Sequence, residues 1–156
     1  MNTKFFTFVW LILALLLSSC GAETEKSESP NTPSATERLY EEVMNLHNAE
    51  MGKMGELKAL KRQLNEAKGQ LDSMSNPSLY AEIVAGISAI DSGTFAMNSW
   101  MRNFSEPDSA WAEAQKLEHL NLQLTSMENT RDLMGSAMDK AALILQNTDV
   151  NALISK

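Results

Sequence analysis

The sequence predicts an all-α protein, an antiparallel up-down-up three-helix bundle standing behind a removable leader and a flexible linker. Three observations carry that reading. Three long segments repeat apolar residues at alternating steps of three and four, the spacing of one face of a packed helix. Two short breaks separate them, each containing a proline, and connections that short place consecutive helices antiparallel. Strand signals are missing, because β-branched residues are sparse and never alternate with polar ones over a useful length. The 156 residues include 13 basic and 20 acidic side chains, seven glycines, four prolines and one cysteine. Once the leader is removed, that is enough chain for one domain. A single cysteine excludes an intramolecular disulfide. The net charge of −7 disfavours nucleic acid and anionic membrane surfaces as partners.

The leader comes first. Lys4 precedes an uncharged apolar run, residues 5–17, and Ser18, Ser19 and Cys20 close it. This is the layout of a secretory signal, and the run is shorter than the roughly 20 residues a spanning helix needs. Leu17-Ser18-Ser19-Cys20 resembles the lipobox of bacterial lipoproteins. The resemblance implies that residues 1–19 are a signal peptide cut before Cys20, that the Cys20 thiol carries diacylglycerol, and that the new amino terminus is acylated. Two or more acyl chains, at about 0.8 kcal/mol per buried CH₂, anchor a protein durably. Gly21 stands where similar enterobacterial proteins retained in the inner membrane have aspartate. The expected location is therefore the outer membrane of a Gram-negative envelope.

Residues 20–36 comprise the lipidated cysteine and a disordered linker, GAETEKSESPNTPSAT, with no apolar side chain after Cys20 larger than alanine. A linker of this kind reaches about 20–25 Å root-mean-square, enough to hold a domain clear of a bilayer. The bundle proper is expected over residues 37–146. Its first segment, residues 35–73, places Tyr40, Val43, His47, Met54, Leu57, Leu64 and Leu71 on one stripe, widened by Met44, Met51 and Leu60. Asn76 offers an N-cap oxygen and Pro77 suits the first helical position. The second segment then carries Tyr80, Ile83, Ile87, Ile90, Thr94, Met97, Met101 and Phe104, with Ile87 expected in the core. Pro107 marks the next break, with Asp108 or Ser109 as the cap. The third segment carries Leu117, Leu120, Leu124, Met127, Arg131, Met134, Met138, Ala141 and Leu145. A tail, residues 147–156, follows.

Little in the chain points to catalysis. The two histidines, His47 and His119, lie on different helices, and His119 reads as a surface residue. There is no Gly-rich phosphate loop, no paired-cysteine zinc spacing and no His-Glu-x-x-His box. One cluster is sharper. Met44, His47, Met51 and Met54 fall within an arc of about 80° on the first helix, at roughly 100° per residue. The antiparallel fold brings Met97, Trp100 and Met101 toward the same end. Thioethers with an imidazole are soft ligands that suit Cu(I). Methionine is also a flexible core filler, and Met127, Met134 and Met138 form a second stripe with no histidine. The cluster is therefore expected to be chiefly packing, with His47 bonded to a neighbour such as Glu50 or Asn48. Lys61 and Arg131 are expected to extend their charges out of the seam. Lys53, Lys58, Lys61, Arg62 and Lys68, opposed by Glu50, Glu56 and Glu66, read as solvated helix faces.

Three stretches, YEEVMNLHNAEMGKMGELKALKRQL, AMNSWMRNF and ENTRDLMGSAMDKAALIL, carry a further likeness. Together they resemble a group of small lipoproteins of Bacteroidota, of unknown function and sometimes labelled viral A-type inclusion protein. Asn48 and Gly52 stand where that group has an acidic residue and a proline. The resemblance implies a helical, lipid-anchored envelope protein and supplies no activity. The expected function is that of a non-catalytic helical lipoprotein without cofactor, acting as a structural module or by contact with another envelope protein. The alternative is a periplasmic Cu(I)-type metal-binding protein using Met44, His47, Met51 and Met101.

Overall fold

The structure, a computed structural model, describes residues 32–148. The leader, Cys20, most of the linker and the tail beyond Thr148 lie outside the described residues. Three helices pack against one another: α1 (Ala35–Gln70), α2 (Pro77–Asn103) and α3 (Glu113–Asn147). The described residues form an all-α three-helix bundle.

Local chemistry sets each helix end. Ser34 caps α1 through a reciprocal box: its hydroxyl accepts from the Glu37 N–H at 3.1 Å, and the Glu37 carboxylate accepts from the Ser34 N–H at 2.7 Å. Those bonds hold the Glu37 carboxyl below its ordinary range. The helix thus begins at Ala35, where the first apolar segment is expected to start. In the first connection Asp72 organises the turn, accepting from the Met74 N–H at 3.0 Å and from the Ser75 hydroxyl. Pro77 opens α2 as expected, whereas the Asn76 side chain makes no capping bond. The expected cap of α3 is displaced too. Asp108 instead accepts from the Ala110 N–H at 2.8 Å within the loop, and Ala112 precedes the helix, its N–H bonded to Gln115 Oε1 at 3.0 Å.

Side-chain contacts establish the directions. Lys61 pairs with Asp91 while His47 stacks on Trp100, and the Trp100 indole N–H donates to the Gln123 carbonyl at 3.2 Å while Gly93 lies against Met134, so α2 runs antiparallel to both neighbours. Thr36 donates to Glu113 from its N–H at 3.2 Å and its hydroxyl at 2.8 Å, which pins the first turns of the two parallel helices, α1 and α3.

The core on α1 follows a seven-residue step: Val43, Glu50, Leu57, Leu64 and Leu71 are buried, flanked by half-buried Tyr40, His47 and Met54. On α2 the buried set is Ile83, Gly86, Ile90, Gly93, Met97 and Trp100. This corrects the expected stripe. Tyr80, Ile87 and Thr94 are half-buried, Met101 is 37% exposed, and the small Gly86 and Gly93 take the inner line. On α3 Leu120, Met127, Met134 and Ala141 are buried as expected, joined by Thr130, Ala137 and Ile144, while Leu124, Arg131, Met138 and Leu145 flank them. The physical reason is the same on both helices. Each must face two neighbours, and small residues occupy the line of closest approach while larger ones cover its edge. Among the described residues no helix is long and apolar enough to cross a membrane.

Candidate functional site

Where α1 crosses the last turns of α2, one series of buried residues changes character. Glu50 takes the seam position between Val43 and Leu57 and is only 2% exposed. Its Oε1 accepts from Lys53 Nζ at 2.7 Å, one helical turn along, and its Oε2 is buried without a protein partner. This corrects the expectation that Glu50 belongs to a solvated face. Lys53 holds it from the same helix, and Arg131 feels its charge from α3. The Arg131 guanidinium is raised above its ordinary value chiefly by the hydrogen bond to Asp132, then by the fields of Asp132, Glu128 and Glu50.

His47 lies one turn before Glu50. Its ring stacks on Trp100, with centroids 5.1 Å apart and planes inclined by 23°. Nδ1 lies 3.2 Å from the Asn48 side-chain oxygen. A ring that donates to that oxygen from Nδ1 keeps its lone pair on Nε2. Nε2 is buried and has no protein partner. Trp100 continues into an aromatic row, with Phe104 at 4.9 Å and Tyr40 a further 6.3 Å on. The Tyr40 hydroxyl donates to Glu106 at 3.2 Å, and partial burial followed by the nearby Glu106 charge raises its pKa.

The expected ligand-capable residues fall into place unevenly. Met44 is half-buried, Met51 is 36% exposed, Met97 is fully buried and Met101 is 37% exposed. His47 and Trp100 are in contact, as the antiparallel fold requires. Among the described residues no three or more of His, Cys, Asp and Glu gather as a metal site. His119 stands apart. Its Nε2 bonds to the Ser105 carbonyl at 2.8 Å and its ring meets the edge of Trp111 at 5.4 Å, so it fastens the second connection to α3.

A second feature lies on the outer face of α2 and α3, where the two helices enclose an open groove of about 740 Å³. Serines 88, 92 and 99 of α2 and Ser126, Asn129 and Thr130 of α3 form much of its lining. Phe95, Leu122 and Leu133 stand over it with 66%, 67% and 51% of their surfaces exposed. Asp91 is the only ionisable residue in the lining, and it is already paired with Lys61.

The chain matches no family model, no curated protein and no solved structure. The site must be read from its own chemistry. Two of its features escaped the sequence reading. Glu50 was assigned by its charge, although the seven-residue step from Val43 to Leu57 passes through it. The groove left a fainter signal: Phe95, Leu122 and Leu133 are large apolar residues that belong to none of the three inward stripes.

Proposed function

We propose that this chain is a non-catalytic, lipid-anchored envelope protein that receives an amphipathic helix of another envelope protein in its α2–α3 groove. The observation that carries this reading is the groove's periodicity. Ser88, Ser92, Phe95 and Ser99 on α2, and Leu122, Ser126, Asn129 and Leu133 on α3, repeat at the three-four steps of a helix-packing face, yet they face no helix of the bundle. Small floor residues admit a close backbone, and the apolar walls supply burial, which matches helix-in-groove recognition. A lining without unpaired charge calls for an uncharged stripe on the partner, since a buried charge there would find no counter-ion. Contiguous exposed apolar side chains of this kind mark interaction surfaces.

A photo-crosslinking amino acid at Leu122 or Leu133 is expected to give one discrete adduct in intact cells, weakened by Phe95→Lys. Its crosslinked peptide should lie on a helix with a charge-free apolar stripe. Labelling no stronger than from the same group at exposed Glu82 would refute the groove reading, and an adduct of two copies of the chain would replace it with self-association.

The anchor rests on the lipobox resemblance at Leu17-Ser18-Ser19-Cys20. Cys20→Ala is expected to abolish metabolic lipid labelling and leave the leader attached. Undiminished labelling in that variant would remove the anchor from the proposal.

A further inference from the structure

We infer that His47 Nε2, with the thioethers of Met44 and Met51, forms a binding site for a soft monovalent cation of the Cu(I) type, independent of the α2–α3 groove. The imidazole is prepared for a Lewis acid. Nδ1 lies 3.2 Å from the Asn48 side-chain oxygen, and a ring that donates there keeps its lone pair on Nε2. Metal-ligating histidines are oriented in this way, their second nitrogen donating to an oxygen. Trp100, stacked at 5.1 Å, fixes the ring plane and closes one side of it to water. Nε2 itself is buried with no protein group to satisfy it, and buried acceptors without partners are costly.

Two methionines flank His47 on the same helix face. Met44 precedes His47 by three residues and Met51 follows it by four, so both are one-turn neighbours on the same helix face, about 5–6 Å away between Cβ atoms. Their flexible side chains can swing sulfur toward the imidazole. Met51 is 36% exposed, so its thioether can be reached from solvent. Glu50 Oε2, also buried without a partner, adds a negative field one turn along. Two electron-rich orphan atoms on adjacent turns favour a cation over an apolar or anionic guest. Among the described residues no three of His, Cys, Asp and Glu gather as a metal site; with Glu50 held by Lys53, the donors proposed here are one nitrogen and two thioether sulfurs, a soft set that selects Cu(I) or Ag(I) over harder ions.

The test is titration of the full chain, in detergent solution, with Ag(I) or with Cu(I) under reducing conditions against a competing chelator. One equivalent is expected to bind with sub-nanomolar affinity, accompanied by a large change in the ¹⁵N shift of His47 Nε2. His47→Ala and Met51→Leu should each weaken binding tenfold or more. Met74→Leu, at a methionine 90% exposed, should change nothing. Circular dichroism checks that His47→Ala remains helical, and Met51→Leu, at an exposed position, tests the site without disturbing the core. Failure of the chain to compete for the metal overturns the inference, as does binding that survives both site variants or that Met74→Leu weakens as much as Met51→Leu.

Discussion

Gly93→Leu is expected to destabilise the bundle by about 3 kcal/mol, lowering its melting temperature by on the order of 10 °C. A Cβ at Gly93 would lie 3.2 Å from the Met134 Cα, so the obstacle is the α3 backbone, which a rotamer change cannot move aside. The remaining atoms of a leucine would have to force α2 and α3 apart along the line where Met97 and Met134 are fully buried. Gly86 provides the contrast. A Cβ there would meet the Ile144 Cδ1 at 2.8 Å and a Leu64 Cδ1 at 3.1 Å, both at the far ends of side chains that can turn. Gly86→Ala is accordingly expected to be close to neutral, because alanine's helix propensity, worth about 1 kcal/mol over glycine, offsets the adjustment. Gly55→Ala, with nothing within 4 Å of the added carbon, should show that gain alone. Thermal and urea denaturation of the three variants measures the series. A Gly93→Leu protein as stable as the parent would mean that the close approach of α2 and α3 has been misread.

The same contacts explain what could be read from the sequence. Val43, Leu57, Leu64, Ile83, Ile90, Leu120, Met127 and Met134 are large, apolar and correctly spaced, and all of them are in the core. Hydrophobic periodicity reports such residues directly. It is blind to Gly86 and Gly93, which are buried because they are small and lie where helices come closest. A stripe drawn through large residues therefore falls on the flank, at Ile87 on α2 and at Leu124 and Met138 on α3. The caps were legible in part. Asn76 and Pro77 stand at the start of α2 as expected, but the Asn76 side chain makes no capping bond and Asp108 bonds within its loop, because the bonds formed depend on loop geometry, which in the second connection is fastened by His119 and Ser105. At the His47 end the sequence showed which ligand-capable residues share a helix face. It could not show that Nε2 of His47 is buried, since that depends on how α1 packs against its neighbours, among them Trp100 of α2.

Glu50→Leu is expected to stabilise the fold by about 1–4 kcal/mol. The substitution would complete an apolar series from Val43 through Leu57 and Leu64 to Leu71, and leucine fits the shape of a side chain already 98% removed from solvent in a close-packed seam. The native carboxylate gains one ion pair at 2.7 Å, but Lys53 keeps 43% of its side chain exposed, and Oε2 has no compensating donor. Desolvation of the charge therefore outweighs the attraction that remains. Removing the partner instead should act in the opposite direction: Lys53→Met leaves the carboxylate buried and uncompensated. Its cost should fall below the roughly 3–5 kcal/mol typical of fully buried pairs, because water already reaches the lysine. In the double variant the Lys53→Met penalty should vanish, since the charge it served is gone, and that non-additivity in chemical denaturation isolates the pair from general packing effects. A Glu50→Leu protein less stable than the parent would show that Glu50 is satisfied in solution and serves the fold. A more stable one would show that the carboxylate is retained at a cost to stability, as the cation site proposed at His47, one turn away, requires.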